Sequence, residues 1–287
     1  MTVLASLGGW FSENEALTQS SFAACMLAFS VMVALRAGMF SFAGVAFWAV
    51  GGYTAAVLVQ HGWPTVAAVA AAIVLSAALS LLIGLVLGRL RAVYMAMATF
   101  ALVMIVRVIA VSWESVTGGS TGLYAIPNTV TTTGVAVVAA VSAVIVALLD
   151  RGVIGRSLAA VRTDETLAAA NGIDVVRHRI AIFVLSGAFG ALSGAMNALL
   201  FNTLSPDQGG FPLILDAMTM VVLGGAAAWW GPVIGAFVVI WLPEILAFTG
   251  DWRAVVQGAL VVLVVVYVPG GIVAVVRRVR ALVVTTT

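Results

Sequence analysis

The sequence predicts an all-α integral membrane protein: a polytopic helical bundle of about nine spans (eight to ten), with the N-terminus outside and the C-terminus in the cytoplasm. Three observations predict it. Of 287 residues, 63% are hydrophobic and only 8% are charged, and the mean hydropathy is +1.19, too little polar surface for a soluble domain of this length. The apolar runs are long and closely spaced, which suits helices that satisfy their own backbone groups in lipid; alternating ten-residue strands of a porin-like barrel are absent from the sequence. Charge is concentrated as well, nine of the 24 charged residues lying between Asp150 and Arg179.

Apolar windows place the spans at 17–35, 42–60, 65–87, 92–111, 133–149, 180–201, 212–228, 232–248 and 255–275, each 17 to 23 residues long. That is enough to cross roughly 30 Å of hydrocarbon at about 1.5 Å per residue. The chain reads as one transmembrane domain over 1–287, with an outer loop at 112–132 and a cytoplasmic loop at 150–179. The N-terminal stretch lacks a basic region before an apolar core, so the first span is expected to act as the insertion signal. Cys25 is the single cysteine; it cannot form an intrachain disulfide and reads as small-residue packing in the first span.

The basic residues orient the bundle. All 13 are arginine. With the N-terminus outside, Arg36, Arg89, Arg91, Arg151, Arg156, Arg162, Arg177, Arg179, Arg277, Arg278 and Arg280 fall on the cytoplasmic side, Arg253 falls outside and Arg107 lies within a span. Trp10, Trp63, Trp113 and Trp252 then sit at outer span ends and Trp229 and Trp230 at an inner turn, as an interfacial belt requires. The alternative makes 42–60 re-entrant and the N-terminus cytoplasmic, which would leave Arg36 outside.

Within the cytoplasmic loop, Thr163 reads as the N-cap of a short helix, with Asp164 and Glu165 in the first turn, where the helix dipole favours negative charge. The helix runs on through Ala168 and Ala169 for about eight residues, roughly 12 Å, and Gly172 after Asn171 supplies a left-handed stop. Physics alone leaves two readings: an ordinary loop containing a helix, or a rigid lever on which a cytoplasmic motor acts.

Two glycine pairs interrupt apolar spans, Gly51-Gly52 and Gly224-Gly225. Paired glycine breaks point to a midplane substrate path, with Tyr53 and Thr54 offering hydroxyls; close helix packing at small residues is the other reading. Thr117, Gly118, Gly119, Ser120, Thr121 and Gly122 form a hydroxyl- and glycine-rich outer loop, read as an outer gate or binding-protein contact, or as a plain turn. Asp216 and Glu244 are expected to be paired or interfacial, and Arg107 to reach toward Glu114. His61 and His178 fall on opposite sides of the membrane, and no metal site or catalytic constellation is read.

Several stretches carry a resemblance. Glu165 to Ile173, ETLAAANGI, resembles the E-x-x-A-x-x-x-G loop of bacterial ABC importer permeases. The wider GRSLAAVRTDETLAAANGIDV at 155–175 is similar to the branched-chain amino acid permease family of the LivH/LivM type. So are GMFSFAGVAFWAVGGYTAAVL at 38–58, TGGSTGLYAIP at 117–127 and SPDQGGFPLILDAMTMVVLGGAAAWWGPVIGA at 205–236. The family often has a histidine where this chain has Gly44, and its acidic residue before MTMVVLGG is Asp216 here.

The resemblance implies a permease subunit of an ATP-driven importer, not an enzyme, in the bacterial cytoplasmic membrane. It implies Thr163, Asp164, Glu165, Ala168, Ala169 and Gly172 as the coupling helix that docks on an ATPase. The implied partners are a second related permease, two cytoplasmic ABC ATPases, an extracytoplasmic substrate-binding protein and membrane lipid, with no nucleic acid. The chain has no cofactor of its own: ATP and Mg belong to the ATPases, and a lysine-free chain cannot hold a G-x-x-x-x-G-K-[ST] loop. Branched-chain or other hydrophobic amino acids are the expected substrates, with urea, short amides or aromatic carboxylates as alternatives within the class. An ion-coupled secondary transporter is the alternative of another class; it calls for a relay of buried ionisable groups, and few occur.

Overall fold

The computed structural model describes residues 15–90, 92–127, 130–246, 258–259, 262 and 270–274. Among them the regular secondary structure is helical. Six helices are long and apolar enough to cross a membrane: α1 (Glu15–Arg36), α2 (Ala43–Gln60), α3 (Thr65–Leu87), α4 (Ala92–Ser112), α6 (Thr132–Leu149) and α9 (Val175–Phe201). Between them lie α5 (Glu114–Thr117), a 3-10 turn at Gly119–Thr121, α7 (Gly152–Thr163) and α8 (Glu165–Ala170); α10 (Phe211–Gly224) and α11 (Gly231–Ile245) follow.

The centre of the bundle is α1, α2 and α9, whose residues are mostly buried, while α3, α4 and α6 bury only a minority of theirs. Lipid tails offer helices no hydrophobic reason to associate, so close packing and interhelical hydrogen bonds must hold the centre together. The α2–α9 crossing does this with glycine. A Cβ added at Gly190 would lie 2.2 Å from the Gly44 carbonyl oxygen, one at Gly194 1.8 Å from that of Trp48, and one at Gly51 2.4 Å from Ala191 Cα. The backbones touch. Ser30 Oγ donates to the Ser186 carbonyl (2.7 Å), Ser193 Oγ to that of Ala23 (2.8 Å), and Trp241 Nε1 to Ser21 Oγ (3.1 Å).

The outer helices follow the same logic with one narrow face. The buried positions of α3 are Ala68, Ala72, Ser76, Ser80 and Gly84, a stripe of small residues four apart; Val66, Leu82 and Val86 on its other faces are exposed. Cys25 is buried in α1, as packing predicts.

Four expectations are corrected. The stretch 42–60 is the uninterrupted 18-residue helix α2, about 27 Å long; it is neither broken at Gly51-Gly52 nor short enough for a re-entrant segment. The span expected at 212–228 is a helix of 14 residues, about 21 Å and short of the roughly 30 Å core; that expected at 232–248 is helical over Gly231–Ile245, with 247–248 outside the described residues. Helix α10 ends because Gly225 turns to φ +97°. The span expected at 180–201 begins five residues earlier, at Val175, capped by Asp174. Finally, α7 was not expected at all. Most of the span expected at 255–275, and Trp10, Trp252, Arg91, Arg253, Arg277, Arg278 and Arg280, lie outside the described residues.

Candidate functional site

One end of the bundle carries α7 and α8. Helix α6 stops at Leu149, and Asp150 forms an ion pair with Arg36 at the end of α1; Arg36 Nε also donates to the Ala226 carbonyl (3.0 Å). The chain turns through Gly152 (φ +67°) into α7, which buries Leu158 and Val161 and exposes Arg156 and Arg162.

The junction of α7 and α8 corrects the expected cap. Thr163 is the last residue of α7, and its hydroxyl donates to the Ala159 carbonyl (2.9 Å). Asp164 is the N-cap, extended at φ −156° and ψ 113°. Its carboxylate accepts from the Thr166 amide (2.8 Å), the Leu167 amide (3.1 Å) and the Thr166 hydroxyl (2.5 Å). These bonds, the Thr166 hydroxyl first, hold the Asp164 carboxyl below the usual carboxylate range. An acceptor-only group outcompetes a hydroxyl already satisfied one turn back.

Helix α8 is therefore six residues, about 9 Å, rather than eight. Its stop is as the Asn-Gly pair suggests: Gly172 lies at φ +81°, its amide reaching the Ala169 carbonyl (3.0 Å), while the Ile173 amide reaches that of Ala168 (3.1 Å). This is a Schellman motif. Ala168 is buried at the foot of α8, and Glu165, Thr166, Leu167, Ala169 and Asn171 are exposed. Leu167, 62% exposed, was missed by sequence reasoning; a large apolar residue alone among small and polar ones on a projecting helix is the signal that marks it. Glu165 pairs with Arg179 of α9, whose side chain is buried.

The opposite end holds the glycine-rich loop. Thr117 closes α5 with its hydroxyl donating to the carbonyls of Ala110 (2.5 Å) and Trp113 (2.7 Å). Gly118, Gly119 and Gly122 all have positive φ. The loop pairs with the segment after α9: Leu123 and Leu204 exchange two amide–carbonyl bonds of 2.9 Å. Leu204 in turn reaches α2, its Cδ2 lying 2.9 Å from where a Cβ would stand on Gly52. Thr121 caps locally to the Gly118 carbonyl and Ser120 is exposed. Arg107 pairs with Asp207 at 2.5 Å, not with Glu114. Asp216 and Glu244 are exposed and form no ion pair among the described residues.

Between the two ends, α3 and α4 both pack on α2 but barely on each other. They leave a cleft of about 530 Å³ that brings Tyr53 and Thr54 together with Trp113 and Thr117. The rest of the lining is almost entirely aliphatic. Thr54 donates to the Val50 carbonyl (2.7 Å), while the buried Tyr53 hydroxyl has no partner among the described residues. The two glycine pairs are not brought together. Gly51 and Gly52 pack on α9 and Leu204, whereas Gly224 and Gly225 pack on Gly231, Gly235 and Gly270.

The sequence that builds these helices and loops matches a known family. The family described as branched-chain amino acid transport system / permease component matches residues 15–265. The chain belongs to that family. The protein is a multi-pass membrane protein of it, with six helices long and apolar enough to span. It is similar to the high-affinity branched-chain amino acid transport system permease protein LivM of Salmonella typhimurium, 26% identical over 263 residues, which cover 79% of this chain and 61% of the relative. LivM of Escherichia coli strain K12 gives the same figures. The fructose import permease protein FrcC of Rhizobium meliloti is 34% identical over 108 residues, 38% of this chain and 30% of that protein. The chain thus spans less than two thirds of the length of these relatives. No solved structure gives a significant match.

Proposed function

We propose that this chain is the transmembrane permease subunit of an ATP-driven importer for branched-chain or other hydrophobic amino acids. It works in a bacterial cytoplasmic membrane with a second, related permease, two cytoplasmic ABC ATPases that bind ATP and Mg, and an extracytoplasmic binding protein. The arginine distribution supports α7 and α8 on the cytoplasmic side and the 117–122 loop outside. The observation that carries the reading is α8: a short helix, capped at both ends, that buries Ala168 and leaves Leu167 and Ala169 exposed. Such a helix is suited to be gripped by a soluble partner.

Tyr53, Thr54 and the cleft they line are proposed as part of the substrate path, with Gly118, Gly119 and Gly122 shaping its outer rim. A cleft lined by aliphatic side chains with a single unpartnered hydroxyl suits an apolar side chain better than a sugar, whose many hydroxyls would go unpaired there. That favours amino acids over the substrates of FrcC and the xylose permease XylH, which is similar over 41% of this chain.

The test is to co-express the chain with its candidate partners, reconstitute the complex in liposomes and measure leucine uptake. Uptake that needs ATP, the ATPases and the loaded binding protein is expected. Uptake by the lone chain, driven by an ion gradient, would refute the reading.

A further inference from the structure

Arg179 occupies an unusual place. It is the fifth residue of α9 and buried, on a helix whose other buried positions are apolar or small. Its register explains the consequence. Arg179, Ile182, Phe183, Ser186, Gly187 and Gly190 are all buried, a stripe spaced three and four residues apart that forms one face of the helix. Farther along that face, Gly190 meets the backbone of α2. Arg179 is therefore the far end of the surface by which α9 holds the helix that floors the Tyr53 cleft.

A buried guanidinium demands a partner. The only acidic side chain that supplies one among the described residues is Glu165, the first residue of α8, through Arg179 Nη2. The two helices are joined in sequence by residues 171–174, in which Gly172 sits at φ +81°. On the α9 side a turn alone would leave α8 restrained only by its junction with α7 at Asp164 and by the buried Ala168. The ion pair closes the other side, so that α8, the turn and the first turns of α9 form a triangle.

We propose that Arg179 is a positioning residue that locks α8 to α9, so that displacement of α8 moves α9 and, through the glycine crossing, α2. This rests on the reading of α8 as the helix on which ATPases act, and it changes the part played by Glu165. Glu165 faces inward as a strut, and the exposed Leu167 and Ala169 are left to meet the ATPase.

The experiment uses the complete complex and a reporter independent of substrate identity: the labelling rate of a cysteine placed at Val57, in the wall of the cleft, with and without ATP and vanadate. Native Cys25 is buried and gives little background. In the parent complex ATP is expected to change the labelling rate. Arg179→Gln should keep the ATPases bound and hydrolysing while the ATP-dependent change shrinks about tenfold, the size of a typical coupling term. Arg179→Lys should preserve the change, and the exchange Glu165→Arg with Arg179→Glu should recover it. If Arg179→Gln does not fold, Glu165→Gln and the exchanged pair decide the matter, since Glu165 is half-exposed. Normal coupling in Arg179→Gln, or a folded exchanged pair that does not recover, overturns the proposal. So does loss of ATPase binding in Arg179→Gln, which would make the pair part of the docking surface. A parent complex that binds no ATPase overturns the underlying reading, and is seen before any Arg179 variant is made.

Discussion

Substituting Gly194 by alanine sets two effects of known size against each other. In an isolated helix the change is favourable, by about 1 kcal/mol. In this bundle the new Cβ would lie 1.8 Å from the Trp48 carbonyl oxygen and 3.0 Å from Trp48 Cα, whereas real Cβ atoms essentially never come closer than 3.0 Å. The obstacle is backbone, which has no rotamer to escape into, so α2 and α9 must part by about 1.2 Å at the crossing. Overpacking a tight interior commonly costs about 1–3 kcal/mol, and a rigid carbonyl sits at the upper end. The neighbouring contacts at Gly190 and Gly51 loosen with it, and the net should be a loss of about 2 kcal/mol. In detergent, unfolding followed by tryptophan fluorescence should show Tm falling by about 4–8 °C. Gly134→Ala, whose new Cβ would meet only the Thr131 hydroxyl at 3.3 Å and Val130 at 3.8 Å, is the control and should leave Tm unchanged or raised. Equal or greater stability in Gly194→Ala would mean that propensity wins and the backbones are not in contact.

Three further outcomes follow from local geometry. Asp164→Ala should lower the hydrogen-exchange protection of the Thr166 and Leu167 amides, which it caps, whereas Thr163→Val should leave them unchanged. Because the folded-state Asp164 carboxyl is depressed below its ordinary 3.8, its contribution is complete above that value and is lost as pH falls through the lower folded one; protection of α8 should be flat from neutral pH to about pH 5 and fall only under stronger acid. Gly172→Val forces a β-branched residue to φ +81° and should destabilise the α8 turn by about 1–2 kcal/mol, with Gly172→Asn milder, measured by the same exchange. Tyr53→Phe removes a buried hydroxyl with no partner among the described residues, so it should raise Tm, relieving up to about 1–3 kcal/mol, while lowering uptake in the reconstituted transporter; unchanged uptake would take Tyr53 off the substrate path.

Hydropathy alone located six helices, because lipid-facing surface leaves α3, α4 and α6 almost no polar positions. It misjudged α10 because the residues after its end, Ala226 to Ala228, are as apolar as the helix itself; what stops α10 is a backbone angle at Gly225, which a window average does not register. Gly51-Gly52 misled in the opposite direction. A glycine pair suggests a break in water, but in α2 it removes side chains so that α9 can approach, and the helix continues. The loop at 163–172 was legible in kind and off by one residue in its cap, since Thr163 and Asp164 are both good caps and only the occupied Thr163 hydroxyl decides. Contacts between distant parts of the sequence were not legible. Arg107 was assigned to Glu114, seven residues away, but it pairs with Asp207, which only the folding of the segment after α9 brings near.

The early start of α9 ties the hydropathy error to the mechanism. At 27 residues α9 is about 40 Å long, roughly 10 Å more than a hydrocarbon core requires. The apolar window begins at 180 because the three residues before it, Arg177, His178 and Arg179, are polar, and the helix itself continues through them to its Asp174 cap. A projecting helix end is where an ion pair can be at once shielded and tolerable. Arg179 is covered by protein on its own helix face, while Glu165 keeps half its surface open, so the pair avoids the full desolvation that a site at bilayer depth would impose. The same extra turns place Arg179 beside α8 and, along one rigid helix, in register with Gly190 and the α2 crossing. A helix that stopped at residue 180 would leave α8 tied to α9 by the glycine turn alone, its other ties being to α7 at Asp164 and through the buried Ala168.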